Sequence, residues 1–533
     1  MASASETKSI ARGVSVLSIT GIVCKVVGVL YSIPLARILG DTGLGLFQTV
    51  FPTYNLLLTL SSAGLPVAVS RMVSHFLARG ETGHARRTFH TALALLVTIG
   101  CFFSLMMFLS NHLLTRIVGV EEASKGFYAI APCVALVCAL SAFRGFVQGQ
   151  QNMVPTAISQ LIEQVGKVAV SLPLAALGMR SSLADGAAGA LLGITIVEFL
   201  ALVYMMIRAW IHRRDLDEGT VSRTDANGKQ ETEKISQKAL ARQLIRISIP
   251  ITISACIVPL AQFIDSAMMV KRLMHAGIEQ QAATSLYGIF SGMVIRLINI
   301  PTALALAISM SLVPAISAAK AVENDEAVRA RGDTGIRYAF LIGFPCSIGM
   351  SILAKEILSF FYAETLSPAR LQTAAELLTV SALTVVLFTV VQATSSILQG
   401  LHKQVLPMYT MVAGVACKIV LNYVLIGTPG IDIHGGPVAS VVCYSVVMIP
   451  NLIFCCREAK MSFNWMGWVV RPLLAAAAMG LVIFLLKHVL PASRISTILE
   501  ILAGVVVYVS VAMADGALSK EDLRSLGGRR KKQ

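Results

Sequence analysis

Residues 21–70 read GIVCKVVGVLYSIPLARILGDTGLGLFQTVFPTYNLLLTLSSAGLPVAVS, a stretch in which only Lys25, Arg37 and Asp41 are charged. The apolar run that contains Lys25 is much longer than the 7–15-residue apolar core of a signal peptide, so it predicts a helix that stays in the membrane. A membrane helix needs about 20 predominantly apolar residues. The stretch therefore accommodates two helices, which we place at residues 13–38 and 44–72.

Windows of similar length and hydropathy recur along the rest of the chain. The composition is 55% hydrophobic and 14% charged, with a mean hydropathy of +0.73, whereas soluble domains carry about 25% charged residues. The sequence therefore predicts an all-α polytopic membrane protein of about 14 transmembrane helices. Beyond the first two, the predicted helices lie near residues 88–110, 125–148, 154–178, 187–209, 243–270, 284–315, 336–359, 374–399, 405–427, 436–456, 468–488 and 495–514.

The positive residues are distributed unevenly between the predicted loops. Nine Lys or Arg residues occur from Arg208 to Arg246, and four of the last five residues are basic. Because loops rich in Lys and Arg stay in the cytoplasm, this alternation predicts N-in/C-in topology. The same loops account for the net charge of +15. No basic stripe is interleaved with stacking aromatic residues, so nucleic acid is excluded as a partner.

The two halves of the chain repeat a short pattern. Lys167 lies 19 residues after Gln148, and Lys418 lies 19 residues after Gln399; a Gly follows each of the two glutamines. The period is about 250 residues, and each copy has an even number of predicted helices. This pattern predicts two six-helix lobes in a parallel pseudo-twofold repeat, plus two C-terminal helices, an arrangement typical of transporters.

These features define the expected domain organisation. The segment between the lobes is polar and mixed in charge, so it is predicted to be a flexible cytoplasmic linker. The predicted parts are an N-terminal six-helix lobe at 1–211, the linker at 212–240, a C-terminal six-helix lobe at 241–460, two further helices at 461–516 and a basic cytoplasmic tail at 517–533.

Several charged residues lie within the predicted membrane helices. A charge at the centre of such a helix costs about 2.5–3.5 kcal/mol on insertion scales, so each requires a partner or a water-filled cavity. The basic ones near mid-helix are Lys25, Arg296, Lys167 and Lys418, which we predict to bind substrate. Because the bases outnumber the acids, such a cavity favours a multivalent anion such as pyrophosphate over an organic cation.

The acidic residues of these helices have a different expected role. Glu163 and Glu198 lie near mid-helix, and Asp265 lies toward one end of its helix. We predict that Asp265, Glu198 and Glu163 serve coupling or charge balance. A purely structural interpretation remains open: Glu163 and Lys167 are four residues apart and can pair on one helical face.

The chain lacks the motifs of the common membrane enzymes. It has no Walker A motif, no CxxC motif and no Cys/His cluster with zinc spacing. Its predicted outer loops are short and carry no acid/base constellation. We therefore expect no enzymatic activity, no cofactor and no metal.

The resemblance to a known family rests on motifs in both halves. The second half has Leu398-Gln399-Gly400 followed by Lys418 and Asn422-Tyr423. The first half has Lys25, Tyr31-x-x-Pro34-Leu35, Leu39-Gly40-Asp41-x-Gly43-Leu44-Gly45-Leu46-Phe47-Gln48 and Ala63-Gly64-Leu65-Pro66. Over essentially its whole length, the chain resembles the stage V sporulation protein B and YtgP-like family of polysaccharide-biosynthesis flippases, related to MurJ-type and MATE proteins of the MOP superfamily.

The resemblance implies an alternating-access flippase in the bacterial cytoplasmic membrane. Its substrate would be an undecaprenyl-pyrophosphate-linked glycan, such as lipid II or another polysaccharide precursor, moved from the inner to the outer leaflet. Lys25 and Arg296 match the family's basic cavity residues. Membrane lipids and cell-wall synthesis enzymes are the other expected partners. Two alternatives remain: a MATE-like cation-coupled multidrug antiporter, and a membrane scaffold without transport.

Overall fold

A computed structural model describes residues 4–211, 236–491 and 493–518 of the chain. Every regular element of these residues is helical, which confirms the predicted all-α class. Thirteen spans in the described residues are long and apolar enough to cross a membrane. The first, Leu30–Ala78, has 49 residues and includes parts of two predicted helices. The count of about fourteen and the N-in/C-in topology stay predictions.

The described residues pack as two units. The first unit contains Met1–Lys271 and Glu279–Gly288, and the second contains Arg272–Ile278 and Ile289–Gln533. In the first unit the α-helices are α1 (Ala4–Ser62), α2 (Leu65–Ala78), α3 (Thr82–Leu109), α4 (Asn111–Val118), α5 (Ser124–Gly149), α6 (Val154–Gly166), α7 (Leu172–Gly178), α8 (Leu183–Ile211), most of α9 (Gln237–His275), and α10 (Gln280–Tyr287).

The second unit continues with nine α-helices in the described residues. They are α11 (Ile295–Ala321), α12 (Asp325–Ile352), α13 (Ala354–Tyr362), α14 (Pro368–Ser381), α15 (Leu383–Gly400), α16 (Val405–Ile426), α17 (Gly435–Glu458), α18 (Arg471–Val489) and α19 (Arg494–Ala514). Short 3₁₀ turns occupy Glu121–Ala123 and Asp432–His434, and π-helical segments occupy Lys167–Ser171, Gly288–Val294 and Met466–Val470.

Helix α1 consists of two helical pieces joined at Gly40. The backbone of Gly40 has φ 66° and ψ −174°, which is outside the helical region and which glycine adopts without steric cost. The carboxylate of Asp41 follows and accepts a hydrogen bond from the backbone N–H of Thr42 at 2.6 Å. A carboxylate at the start of a helix is favourable because it faces the positive end of the helix dipole.

Helix α9 packs mainly in the first unit, whereas the sequence analysis assigns residues 241–460 to a C-terminal lobe. The backbone N–H of Gly64 donates to Oγ1 of Thr252 at 3.2 Å, and Nδ2 of Asn55 donates to Oε1 of Gln262 at 3.3 Å. The predicted boundary follows the covalent repeat, whereas the residues up to Lys271 pack in the first unit.

The predicted linker falls almost wholly outside the described residues, because positions 212–235 are not among them. Its last positions are described, and α9 begins at Gln237. The predicted tail, residues 517–533, is described only at 517–518.

The last two helices are attached to the second unit through polar contacts of buried aromatic residues. Trp468 is fully buried, and its Nε1–H donates to Oδ1 of Asp333 on α12 at 2.6 Å. The hydroxyl of Tyr508 on α19 donates to the backbone carbonyl of Leu341 on α12 at 2.6 Å. These bonds satisfy buried polar groups and fix α18 and α19 against α12.

Candidate functional site

Two of the predicted basic site residues lie at π-helical segments. Lys167 is the first residue of the segment Lys167–Ser171, and Arg296 lies two residues after the segment Gly288–Val294. A π-helical turn inside an α-helix is rare and is often found at functional sites. One of the four predicted basic residues therefore begins a π-helical segment, and another follows such a segment closely.

An ion pair between Arg144 and Glu163 forms the centre of the charged site in the first unit. One terminal nitrogen of Arg144 contacts Oε1 of Glu163, and the two side chains are only 16% and 11% exposed. The Nε–H of Arg144 also donates to Oγ of Ser159 at 2.9 Å. Three groups on α5 and α6 are thus held in one polar network within otherwise apolar helices.

The ion pair between Glu163 and Lys167, which the sequence left open, is not the one that the structure contains. The described side chains contain no ion pair between them, and Glu163 instead pairs with Arg144. The backbone N–H of Lys167 still donates to the carbonyl of Glu163, so Lys167 lies one helical turn away, but the carboxylate pairs with Arg144 instead. Arg144 also has a planar guanidinium that suits a carboxylate better than an ammonium does.

Glu198 on α8 joins the same site. The residue is 5% exposed, and its charge interacts with Glu163, Lys167 and Arg144. Its Oε2 atom is buried and makes no hydrogen bond within the described part of the chain. We call Arg144, Glu163, Lys167 and Glu198 the charge cluster. The structure thus brings together three predicted site residues and one that was not predicted.

The N-terminal half of α1 runs beside the charge cluster. The thiol of Cys24 is within electrostatic range of Glu163, Lys167 and Arg144. One turn later, a Cβ at Gly28 would lie 3.5 Å from the side-chain oxygen of Gln164 on α6. Lys25 follows Cys24 directly, although its own side chain is not among those described.

Helix α1 is also hydrogen-bonded to the π-helical segment. The hydroxyl groups of Tyr31 and Ser171 are 2.7 Å apart, and Ser171 donates to the backbone carbonyl of Ala190 on α8 at 2.7 Å. Three helical elements are therefore connected one turn beyond Lys167. These hydrogen bonds hold α1 and α8 against the π-helical segment.

The remaining predicted residues lie elsewhere. Asp265 is half-buried on α9. Arg296 on α11 and Lys418 on α16 are both half-buried and belong to the second unit. Among the described residues, no group of three or more His, Cys, Asp or Glu side chains could hold a metal ion.

The second unit contains a cavity of a different character. Its volume is about 480 Å³, and its surface is almost entirely apolar. Residues from α11, α12, α13, α18 and α19 line it, among them Pro301, Met350, Ile357, Phe361, Ile483 and Ile501. A cavity of this kind accommodates a hydrocarbon chain, whereas a charged group inside it would lack polar contacts.

Sequence reasoning missed Arg144 because it lies near the end of a predicted helix, where an arginine usually reaches water. One signal was available. Helices α5 and α6 are consecutive and joined by a short turn, so they are expected to pack side by side. Arg144 and Glu163 lie on opposite sides of that turn and carry opposite charges.

Comparison with known proteins identifies relatives of the chain. The model of the family described as "Polysaccharide biosynthesis protein" matches residues 10–320, and the MatE family model matches residues 250–424. Stage V sporulation protein B of Bacillus subtilis (strain 168) is 27% identical over 81% of this chain and 80% of its own length. Lipid II flippase MurJ of the same organism is 25% identical over 90% of this chain and 88% of its own length.

Solved structures share the fold. A structure of Lipid II flippase MurJ in an inward closed conformation covers 93% of this chain and 98% of its own, with a TM-score of 0.70 at 12% identity. An inward-facing multidrug resistance MATE family transporter of the MOP superfamily covers 82% of this chain and 96% of its own, with a TM-score of 0.63 at 16% identity. Since the first family model matches more than half of the sequence, this multi-pass bacterial membrane protein belongs to the polysaccharide biosynthesis protein family.

Proposed function

We propose that the protein is an alternating-access flippase that moves a polyprenyl-pyrophosphate-linked sugar from the inner to the outer leaflet. Lipid II and related cell-wall or polysaccharide precursors belong to this class. The relatives named above support the proposal, since one of them is a lipid II flippase. The protein would act as a transporter and would not change its substrate chemically.

The observation that carries the proposal is the packing of α1 against the charge cluster. Residues 24–28 of α1 lie beside the face of α6 that carries Glu163 and Lys167. We propose that Lys25 adds a third basic residue to Arg144 and Lys167, against the two acidic residues Glu163 and Glu198. An excess of positive charge in a low-dielectric region attracts a multivalent anion.

The basic residues of the second unit would complete the site. We propose that Arg296 and Lys418 contact the pyrophosphate together with Lys25 and Lys167. Arg296 provides a guanidinium, whose fork of donors suits phosphate oxygens. The lobes would then rock so that the bound headgroup leaves on the outer side.

The acidic residues are proposed to balance these charges. Without substrate, Glu163 neutralises Arg144, and Glu198 and Asp265 neutralise further basic groups. An incoming pyrophosphate competes for the same cations, so the carboxylates would have to bind a proton or cation or move apart. This exchange provides a route for coupling, and an inside-negative potential adds about 2.3 kcal/mol per charge per 100 mV for an anion that moves outward.

The apolar cavity of the second unit fits the other part of the substrate. A polyprenyl chain is a long hydrocarbon, and each buried CH₂ group contributes about 0.8 kcal/mol. We propose that part of the chain occupies this cavity while the remainder stays in the bilayer.

The test is lipid II flipping in reconstituted vesicles. It compares the wild-type protein with Lys25→Ala, Arg296→Ala and Lys167→Ala, using Arg180→Ala as the matched control because Arg180 is exposed in a turn. We expect the wild type and the control to move the lipid and each of the three variants to lose at least about tenfold in rate, as expected for one lost charge-assisted contact.

If folded wild-type protein moves no lipid II, the substrate is a different polyprenyl-linked glycan or the flippase proposal is wrong. Vesicles that contain undecaprenyl-pyrophosphate-linked sugars of other composition separate these two outcomes. Movement of lipid II at equal rates by all the variants would remove the basic residues from the binding site.

A MATE-like antiporter is the second candidate, and the MatE family match to residues 250–424 favours it. This function predicts uptake of an organic cation into inside-out vesicles, driven by an ion gradient and abolished by Glu198→Gln. An unchanged cation content in such vesicles excludes it. Interaction with cell-wall synthesis enzymes stays a prediction.

A further inference from the structure

A second cavity lies in the first unit, at the ends of α2, α3, α5 and α8. Its volume is about 590 Å³, which is within the range of small-molecule sites. The polar part of its lining consists of Arg86, His90, Gln150, Asn152 and Arg208. The charged residues of this lining are Arg86 and Arg208, and both are basic.

The floor of this cavity is aromatic. The ring of Phe89 is 5.2 Å from that of Phe143 and 4.6 Å from that of Phe146. Together with Met205 they give the cavity an apolar surface below its basic rim. A ligand that suits both parts has a compact anionic group attached to an apolar body.

The position of the cavity along α8 indicates where it lies relative to the bilayer. Met206, Ile207 and Trp210 are 42%, 51% and 75% exposed, next to Arg208 in the last turns of the helix. Trp is enriched at the membrane–water boundary, and arginine extends its charge into the headgroup layer. The rim therefore lies at headgroup level, on the side that the positive loops predict to be cytoplasmic.

We propose that this cavity binds an anionic glycerophospholipid of the inner leaflet, with its phosphate held by Arg86 and Arg208. Basic pockets between membrane helices on the cytoplasmic side suit such headgroups. The carboxamides of Gln150 and Asn152 donate to the headgroup, and the first methylene groups of the acyl chains lie on Phe89 and its neighbours. The lipid remains bound and is distinct from the transported one, so the inference does not rest on the proposed function.

The chemistry favours a phospholipid over a soluble anion such as a nucleotide. Exposed apolar residues of α8 flank Arg208, and most of the cavity surface is apolar. A nucleotide would place its phosphates at the same rim, so the position of the rim at headgroup level is what favours the phospholipid. A phospholipid places its charge at the rim and its hydrocarbon on the rings.

The experiment measures phosphatidylglycerol binding to the purified full-length protein by native mass spectrometry, with phosphatidylcholine as the neutral comparison. Variants Arg86→Ala and Arg208→Ala are compared with Arg87→Ala, an exposed neighbour outside the cavity lining. We expect each of the first two to weaken phosphatidylglycerol binding about fivefold, since one basic residue near the surface contributes about 1 kcal/mol. Arg87→Ala should bind like the wild type.

A second measurement uses the unmutated protein. Phosphatidylglycerol binding should weaken as salt is raised, because the contact is electrostatic and near the surface, and phosphatidylcholine binding should not. Equal binding of both lipids, salt-independent binding of phosphatidylglycerol, or an equal loss in Arg87→Ala would overturn the proposal. One contrary outcome is that undecaprenyl pyrophosphate or ATP displaces phosphatidylglycerol from the wild type but not from Arg208→Ala. That result would assign the cavity to the displacing ligand instead.

Discussion

The charge cluster of the first unit and the apolar cavity of the second are opposites in chemistry. In the cluster, Arg144 and Glu163 are 16% and 11% exposed and rely on each other for neutralisation. In the cavity, about 480 Å³ is lined by side chains such as Met350 and Ile483 that offer almost no polar contact. The first environment suits a charged group, and the second suits a hydrocarbon.

The difference shows what each unit tolerates. A buried charge costs several kcal/mol unless a partner is present, so the cluster depends on pairing. The apolar cavity has no such requirement. A substitution in its lining changes the free energy of unfolding only through buried area and packing. Substitutions in the two regions should therefore have different effects: loss of an ion-pair partner in the cluster, and a change of shape in the cavity.

The largest effect is expected from Arg144→Met. The change leaves Glu163 buried without its partner, and breaking a buried pair in this way costs about 3–5 kcal/mol. Met has a similar length to the arginine stem, so packing changes little. Unfolding of the purified protein in mixed micelles, titrated with a denaturing detergent, measures the loss of stability.

Two further variants separate charge from packing at this pair. Arg144→Met combined with Glu163→Met should recover most of the stability, because two apolar residues can replace a buried pair. Lys125→Ala removes an exposed ion pair with Asp185, where the side chains are 56% and 33% exposed, and should leave stability close to that of the wild type because water screens exposed pairs. A double variant as unstable as Arg144→Met would contradict the electrostatic account of the cluster.

An intermediate effect is expected from Met350→Trp, which fills the apolar cavity. The larger side chain displaces about two methylene groups of a bound hydrocarbon chain, which corresponds to about tenfold slower lipid transport. Stability should stay close to that of the wild type, because the cavity has room for the added ring. Lipid flipping in vesicles and unfolding in micelles are measured on the same preparation.

The matched control is Leu481→Trp on α18, where the side chain is 61% exposed and outside the cavity lining. It should transport lipid at the wild-type rate. A normal rate for Met350→Trp, with the protein well folded, would mean that the cavity plays no part in transport.

Much of the fold follows from hydropathy alone. The predicted break between the first two helices, after residue 38, coincides with the non-helical Gly40. The second predicted helix, 44–72, was too long, because the chain bends at Ala63 and Gly64 before α2 begins at Leu65. Apolar length specifies a membrane segment, but bends depend on the packing of the backbone against other helices.

The charged site was only partly predictable. Glu163, Lys167 and Glu198 stand out as charges in apolar helices, and they do lie together. Arg144 does not stand out, because its proximity to Glu163 depends on how α5 and α6 turn. Similarly, the repeat cannot reveal that α9 packs with the first unit, since that depends on contacts such as Asn55 with Gln262.

The smallest effect is expected from Tyr31→Phe, which removes only the hydroxyl group that contacts Ser171 at 2.7 Å. The ring is 8% exposed and keeps its packing, so the loss of one buried neutral hydrogen bond should cost about 1 kcal/mol. Tyr409→Phe is the control, because Tyr409 is 63% exposed and should leave stability unchanged. Since Ser171 ends the π-helical segment that begins at Lys167, the Tyr31 variant should also transport lipid more slowly than its stability explains. Equal transport by both tyrosine variants would mean that the link between α1 and the π-helical segment is structural only. The contrast between a charged first unit and an apolar second unit would then depend on the Arg144–Glu163 ion pair and the cavity alone.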